Sequence, residues 1–282
     1  MKRNKQPCQR VIYSGLLLIA LFTSWVVAIA QQSERRLPTL FIIGDSTVNN
    51  STQGLQGWGT PVAEFFDTQR LLIQNRARGG RSSRTFWTEG LWAQVAAALK
   101  PGDFVLLQFG HNDGGPLNTG RARASLKGNG DETQEVVLEA SGQKEVVHSY
   151  GWYLRQFIAE TKAKGATPIV LSPVPRNIWQ EGKVARAADD YGKWAAEAAR
   201  AGGAFFVDLN ELVAKRYAAV GPEQVKVRYF LEDHTHTTPA GARLNAAAVV
   251  AGIRDLKDCP LAAFIKPGSL AEFSSELKSP NR

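Results

Sequence analysis

The chain is poor in cysteine. Of its 282 residues only Cys8 and Cys259 are thiols, and Cys8 lies in an N-terminal stretch that reads as removable. With that stretch gone a single cysteine remains, which excludes an intramolecular disulfide even in an oxidising compartment, so a hydrophobic core must supply the stability. Histidine is also scarce, with four residues and no His-rich helix motif of the kind that holds zinc. Internal repeats are absent. So are a recognised nucleic-acid module and a platform of alternating aromatic and basic residues, and this argues against a nucleic-acid partner.

What is present begins with an export pattern. Lys2, Arg3, Lys5 and Arg10 precede an apolar run from Val11 to Ala30 that closes on Ala28-Ile29-Ala30. A basic region, an apolar region and a small-residue cleavage site make a secretory signal over residues 1–30, so the expected location is secreted or periplasmic. The apolar run is also long enough for a retained anchor, but Ser14, Thr23 and Ser24 dilute it and polar Gln31-Gln32 follows the cleavage site. After cleavage no contact with a membrane is expected. The formal charge of +8 falls to +4, because four basic and no acidic residues are lost. An excess this mild keeps a protein soluble and is compatible with an acidic polymer as substrate.

Short apolar, β-branched runs alternate with helical patterns along the rest of the chain. Strands are expected at Thr39–Gly44, Leu71–Gln74, Phe104–Phe109, Pro168–Leu171 and Ala204–Asp208. Helices are expected at Pro61–Phe66, Leu91–Leu99, Trp152–Lys164, Ala187–Ala201, Leu209–Ala219 and Pro239–Arg254. Alternation of this kind implies right-handed crossovers and a five-stranded parallel sheet covered on both faces, a three-layer α/β/α domain over residues 31–266. Asn118 to Ser149 is a polar, Gly-rich insertion whose Glu135–Glu139 and Glu145–Ser149 runs suggest a hairpin walling a cleft. The tail, 267–282, is small, charged and without apolar periodicity, which predicts mobility.

Four segments carry chemistry: Gly44-Asp45-Ser46-Thr47, Gly79-Gly80-Arg81-Ser82, Gly110-His111-Asn112-Asp113 and Asp233-His234-Thr235-His236. The first three follow strands one to three, and Pro173 to Trp179 follow strand four. Parallel sheets bind ligands beyond the carboxyl ends of their strands, so these segments converge on one edge. A serine hydroxyl is a weak nucleophile until a base takes its proton, and Ser46 finds a candidate base in His236, with Asp233 one helical turn earlier to orient it. Gly80, with no side chain in the way of its N–H, and Asn112, with a neutral amide, are candidate donors to an oxyanion.

In order and composition these segments resemble the four blocks of the SGNH (GDSL-type) hydrolases. Gly44 to Thr47, Phe109 to Gly115 and Asp233 to Ala242 look most like the rhamnogalacturonan acetylesterases, and the resemblance covers roughly Leu37 to Leu256. It implies a flavodoxin-like strand order 2-1-3-4-5 and a Ser46–His236–Asp233 triad. It also implies an oxyanion hole from Ser46, Gly80 and Asn112, and removal of O-acetyl groups from pectin with no cofactor.

Beside that reading stand plainer ones. Asp45 suits a turn held by backbone hydrogen bonds, and His111 and His148 suit loop or core positions. Asp233, His234 and His236 include residue types that ligate zinc, but that reading leaves Ser46 without a base. Arg76, Arg78, Arg81 and Arg84 cluster around Gly80, and guanidinium forks match sugar carboxylates, Arg81 and Arg84 being the candidates for substrate contact. Trp58, Trp87 and Trp179 fall in or near expected cleft loops, and Trp179 is the one placed at the rim to stack on a sugar. The expected partner is an acetylated polysaccharide.

Overall fold

The computed structural model describes residues 36–271. The expected signal segment, 1–30, and the end of the tail, from residue 272, lie outside the described residues. Strand β1 (Thr39–Gly44) is an inner strand, and every residue in it is apolar or small enough to be buried on either face. Leu40 and Ile42 point to one side of the sheet and Phe41 and Ile43 to the other, the period-two alternation of a strand covered twice. Each such side chain contributes about 1.5–3 kcal/mol by leaving water.

β2 (Leu72–Asn75) and β3 (Phe104–Gln108) flank β1 in parallel. A two-stranded antiparallel hairpin, β4 (Thr133–Val137) and β5 (Lys144–His148), stands apart from the sheet in the insertion. β6 (Thr167–Leu171) pairs with β3, the small hairpin β7 (Trp179–Gln180) and β8 (Lys183–Val184) lies in the loop after it, and β9 (Phe205–Val207) closes the sheet beside β6. The sheet order is β2-β1-β3-β6-β9, which is 2-1-3-4-5 when its own strands are counted. The expected three-layer sandwich is the fold.

One face is covered by α1 (Ser83–Thr88), α2 (Leu91–Ala98), α3 (Tyr150–Ala163) and α4 (Tyr191–Gly202), which bury Phe86, Trp92, Phe157 and Ala198 against Phe41, Ile43, Leu107 and Val170. The other is covered by α5 (Leu209–Val220), α6 (Pro222–Tyr229) and α7 (Pro239–Asp255), together with a 3-10 turn at Pro61–Phe65. Ala246, Val249, Val250 and Ile253 of α7 meet Leu40, Ile42 and Leu171 there. Among the described residues no helix is long and apolar enough to cross a membrane.

Two boundaries differ from expectation. The packed region continues past Pro267: Leu270 is buried in the core and the Ser269 hydroxyl donates to the Phe65 carbonyl. One apolar side chain meeting a ready hydrophobic wall suffices to dock a segment that lacks periodicity. The insertion hairpin forms two residues earlier than its first charged run suggested, at Thr133 rather than Glu135. Cross-strand pairing of Thr133 with His148 sets that register.

Candidate active site

The turn after β1 is built to project one side chain. Gly44 is required by close approach, since a Cβ there would lie 2.5 Å from the Gln108 carbonyl oxygen of β3. Asp45 is fully buried, and its Oδ1 accepts from both the N–H and the hydroxyl of Thr47, each at 2.8 Å. Its backbone carbonyl accepts from the N–H groups of Val48 and Asn49. Behind it, Gln108 Nε2 donates to Thr47 Oγ1 at 2.6 Å while Gln108 Oε1 accepts from Trp58 Nε1 at 2.9 Å. Asp45 and Trp58 are thereby consumed in holding the turn. Ser46 is left at its apex, half-buried and facing a cleft.

His111 packs against this turn, with Nε2 3.0 Å from the Val174 carbonyl and Nδ1 3.4 Å from Asp45 Oδ2. Burial alone would push the Asp45 carboxyl up, but the His111 charge and the hydrogen bonds of His111 and Thr47 outweigh it and hold the group below its ordinary value.

Asp233 and His236 meet through a turn, not through a helix. Helix α7 begins only at Pro239, capped by Thr238, whose hydroxyl accepts from Gly241 N–H. Upstream of the cap, Asp233 Oδ1 accepts from the N–H of Thr235 at 2.6 Å and of His236 at 2.7 Å, so the carboxylate organises its own loop. Its other oxygen, Oδ2, lies 2.7 Å from His236 Nδ1. These bonds, led by that of the His236 side chain, overcome desolvation and keep Asp233 below its ordinary value and ionised. With the Nδ1 proton held by Asp233, Nε2 presents its lone pair to Ser46 Oγ at 2.8 Å. The three residues form one line of hydrogen bonds from carboxylate to hydroxyl. His234 is outside that line, its Nδ1 facing Thr235 Oγ1 at 2.9 Å.

The remaining blocks close around Ser46. Gly80 has φ of +78°, a conformation that disfavours any side chain with a Cβ. Asn112 Nδ2 donates one hydrogen to the Arg81 carbonyl at 2.8 Å, which fixes the amide against the Gly80 loop and leaves its second N–H. The backbone N–H groups of Ser46 and Gly80 have no hydrogen-bond partner among the described residues. Next to Asn112, the buried Asp113 ties three segments together: its carboxylate accepts from Ser83 N–H and hydroxyl, from Ser125 hydroxyl and from Gly110 N–H. The loop after β6 buttresses the site from behind, where Arg176 donates to the His111 carbonyl and Asn177 N–H to that of His234.

Ser46, Gly80, Asn112, Asp233 and His236 all line one cleft of about 1180 Å³. Arg76, Arg78 and Arg81 line it too, as do Arg121 and Arg123 from the insertion. Those last two were not singled out in the sequence, where only the position of the insertion after the Asn112 loop hinted at them. Two expected substrate contacts are corrected. Arg84 has 0% exposure and points inward, bonding Glu145 Oε1 at 2.7 Å and the carbonyls of Leu117 and Ala124 at 2.8 Å. It anchors the insertion and cannot reach a ligand. Trp179 sits in the β7–β8 hairpin, packs against the core and donates its Nε1 to Asn177 Oδ1, away from the cleft lining. Arg81 does face the cleft, paired with Glu89 at 2.8 Å.

Residues 42–244 match the GDSL-like Lipase/Acylhydrolase family. The chain is 34% identical over 215 residues to a rhamnogalacturonan acetylesterase of Emericella nidulans, covering 76% of this chain and 84% of that one. It is 29% identical to the probable rhamnogalacturonan acetylesterase YesY of Bacillus subtilis, covering 77% and 93%. Among solved structures, the YxiM protein of Bacillus subtilis superposes with a TM-score of 0.63 at 25% identity, over 78% of this chain and 56% of that one. A variant of the acetyl xylan esterase Axe2 from Geobacillus stearothermophilus shares the fold, with a TM-score of 0.53 at 19% identity over 76% and 94%. By its blocks, its sheet order and these matches, the chain belongs to the GDSL-like lipase/acylhydrolase family, the SGNH hydrolases, a family of carboxylic ester hydrolases.

Proposed function

We propose that this protein is an exported serine acetylesterase that removes O-acetyl groups from a plant cell-wall polysaccharide, rhamnogalacturonan in particular. The observation that carries the reading is the line of hydrogen bonds from Asp233 through His236 to Ser46, opening on a cleft that also holds Gly80 and Asn112. In the mechanism, Ser46 Oγ attacks the acetyl carbonyl while His236 Nε2 takes its proton. The tetrahedral oxyanion is held by the N–H groups of Ser46 and Gly80 and by the Asn112 amide, each such donor lowering the barrier by about 3–4 kcal/mol. His236 returns the proton to the leaving sugar hydroxyl, giving acetyl-Ser46. A water activated by His236 then releases acetate and restores the serine. Asp233 stays ionised throughout and stabilises the imidazolium. The chemistry needs no cofactor.

The polysaccharide substrate is supported by relatives named for rhamnogalacturonan deacetylation and by five arginines around the cleft. An esterase of long apolar acyl chains would instead need an extended apolar wall. Export is supported by the sequence of residues 1–30 alone. Acetate release from acetylated rhamnogalacturonan and acetylated xylan tests the assignment: the acidic polymer is expected to be the better substrate, with activity lost in Ser46→Ala. Xylan preferred over rhamnogalacturonan would reject pectin as the substrate.

A further inference from the structure

The insertion enters the cleft through a strained turn. Ala122 adopts φ of 44°, the left-handed region disfavoured for a residue with a Cβ, and its N–H bonds the Thr119 carbonyl at 2.9 Å. The residues on either side of it are Arg121 and Arg123, and both reach the cleft. Arg123 Nη1 donates to the Gly80 carbonyl at 3.0 Å, which puts a guanidinium beside the oxyanion glycine. Arg121 is exposed and makes no hydrogen bond to the described residues. Burial and the neighbouring Arg121 charge both oppose the Arg123 cation, so the pair stands close enough to repel.

Among the described residues no carboxylate forms an ion pair with either arginine, and only the more distant, buried Asp45 and Asp113 favour the Arg123 cation. Its two carboxylates are engaged elsewhere, Glu89 with Arg81 and Asp233 with His236. The segment that bears the arginines is firmly held, because Arg84 bonds the carbonyls of Leu117 and Ala124 on either side of it. A rigid loop that sets two like charges in an open cleft without a paired carboxylate is preorganised for an anion from outside. We infer that Arg121 and Arg123 form a subsite for the carboxylate of a uronate sugar in the bound chain, which makes the insertion the specificity element of the site. This rests on the acetylesterase reading and adds to it the residues that select an acidic chain. A planar carboxylate meets a guanidinium fork by paired N–H···O bonds, and Arg123, bonded at Gly80, fixes how far from the reacting carbonyl that carboxylate sits.

The test is binding of an acetate-free rhamnogalacturonan oligosaccharide and of the same oligomer with its carboxylates methyl-esterified, measured by calorimetry at low and high salt. Wild type is expected to bind the charged oligomer about tenfold or more tightly than its ester, an advantage that shrinks as salt rises. Arg121→Gln together with Arg123→Gln is expected to reduce that preference to about twofold or less. Arg121→Gln alone, at an exposed side chain with no hydrogen bond to the described residues, supplies a folded variant in which the preference falls about threefold. Equal affinity for the two oligomers in wild type, or a full preference retained in the double variant, would overturn the inference. Hydrolysis of p-nitrophenyl acetate by the same wild-type preparation tests the esterase reading by itself, so either can fail without the other.

Discussion

His236 Nε2 lies 2.8 Å from Ser46 Oγ although 190 residues separate them in the chain. The contact depends on two turns, each organised by an aspartate: the buried Asp45 sets the Ser46 apex, and the exposed Asp233 sets the loop that carries His236. His236→Ala is therefore expected to lower kcat on p-nitrophenyl acetate by about 10⁴–10⁶, and Asp233→Asn by about 10⁴, because the imidazole loses the partner that fixes its tautomer. His234→Ala should stay close to wild type, since the ring is hydrogen-bonded to Thr235, outside the triad, and the carbonyl that holds Asn177 is retained. An inactive His234 variant beside an active His236 variant would reverse the assignment.

Asn112→Ala removes an amide held against the Arg81 carbonyl and aimed into the cleft. The expected result is a fall in kcat of about 10²–10³ with KM little altered, as for a group that binds the transition-state oxygen better than the ground-state carbonyl. A change confined to KM would instead make Asn112 a substrate-binding residue.

Arg84 and Arg121 separate stability from recognition. Arg84→Ala would strand Glu145 and two carbonyls in a buried setting, and a loss of about 3–5 kcal/mol in urea unfolding is expected. Arg121→Gln should change stability by less than about 0.5 kcal/mol. If Arg84→Ala kept its stability and lost only affinity for acidic polymer, the anchoring role would be wrong.

Asp113 supplies a pH dependence of known sign. Burial pushes its carboxyl up to about 6, against the hydrogen bonds of Ser83 and Ser125, from an ordinary value of 3.8. Between those values the folded protein holds more protons than the unfolded chain, so this group's contribution is full below about pH 4 and is lost as pH rises through about 6. The span is on the order of 3 kcal/mol. Asp45 and Asp233, held below their ordinary values, act in the opposite sense and only at more acid pH, so the windows stay apart. Asp113→Asn should be less stable than wild type by a margin that shrinks between about pH 4 and pH 6. A margin that widens with pH would mean that the fold prefers the ionised carboxylate.

The sheet was legible because most of its strands are short apolar runs bounded by turn residues, and Thr39–Gly44 agrees end to end. Helix α1 was not, since Ser83–Thr88 is short and has no apolar period. What makes it a helix is the Ser82 cap with its reciprocal Thr85 bond. Helix α6 was missed for a related reason: of Pro222–Tyr229 only Val225 is buried. In the site, the blocks gave the nucleophile and the candidate base, but the Asp233–His236 spacing suits a turn as well as a helix, and only the carboxylate's bonds to two N–H groups distinguish them. Arg84 and Arg121 are the same residue type in polar stretches of sequence. Their opposite roles rest on partners distant in sequence, Glu145 for the one and the shared cleft for the other.

The central claim is that Ser46 is the nucleophile activated by His236. The direct test is incubation with diethyl p-nitrophenyl phosphate, which phosphorylates an activated serine irreversibly, followed by peptide mass spectrometry. A single adduct on Ser46, formed as esterase activity disappears and absent in His236→Ala, is the predicted result. Activity that survives the reagent, or an adduct on another residue with Ser46 unmodified, would contradict it.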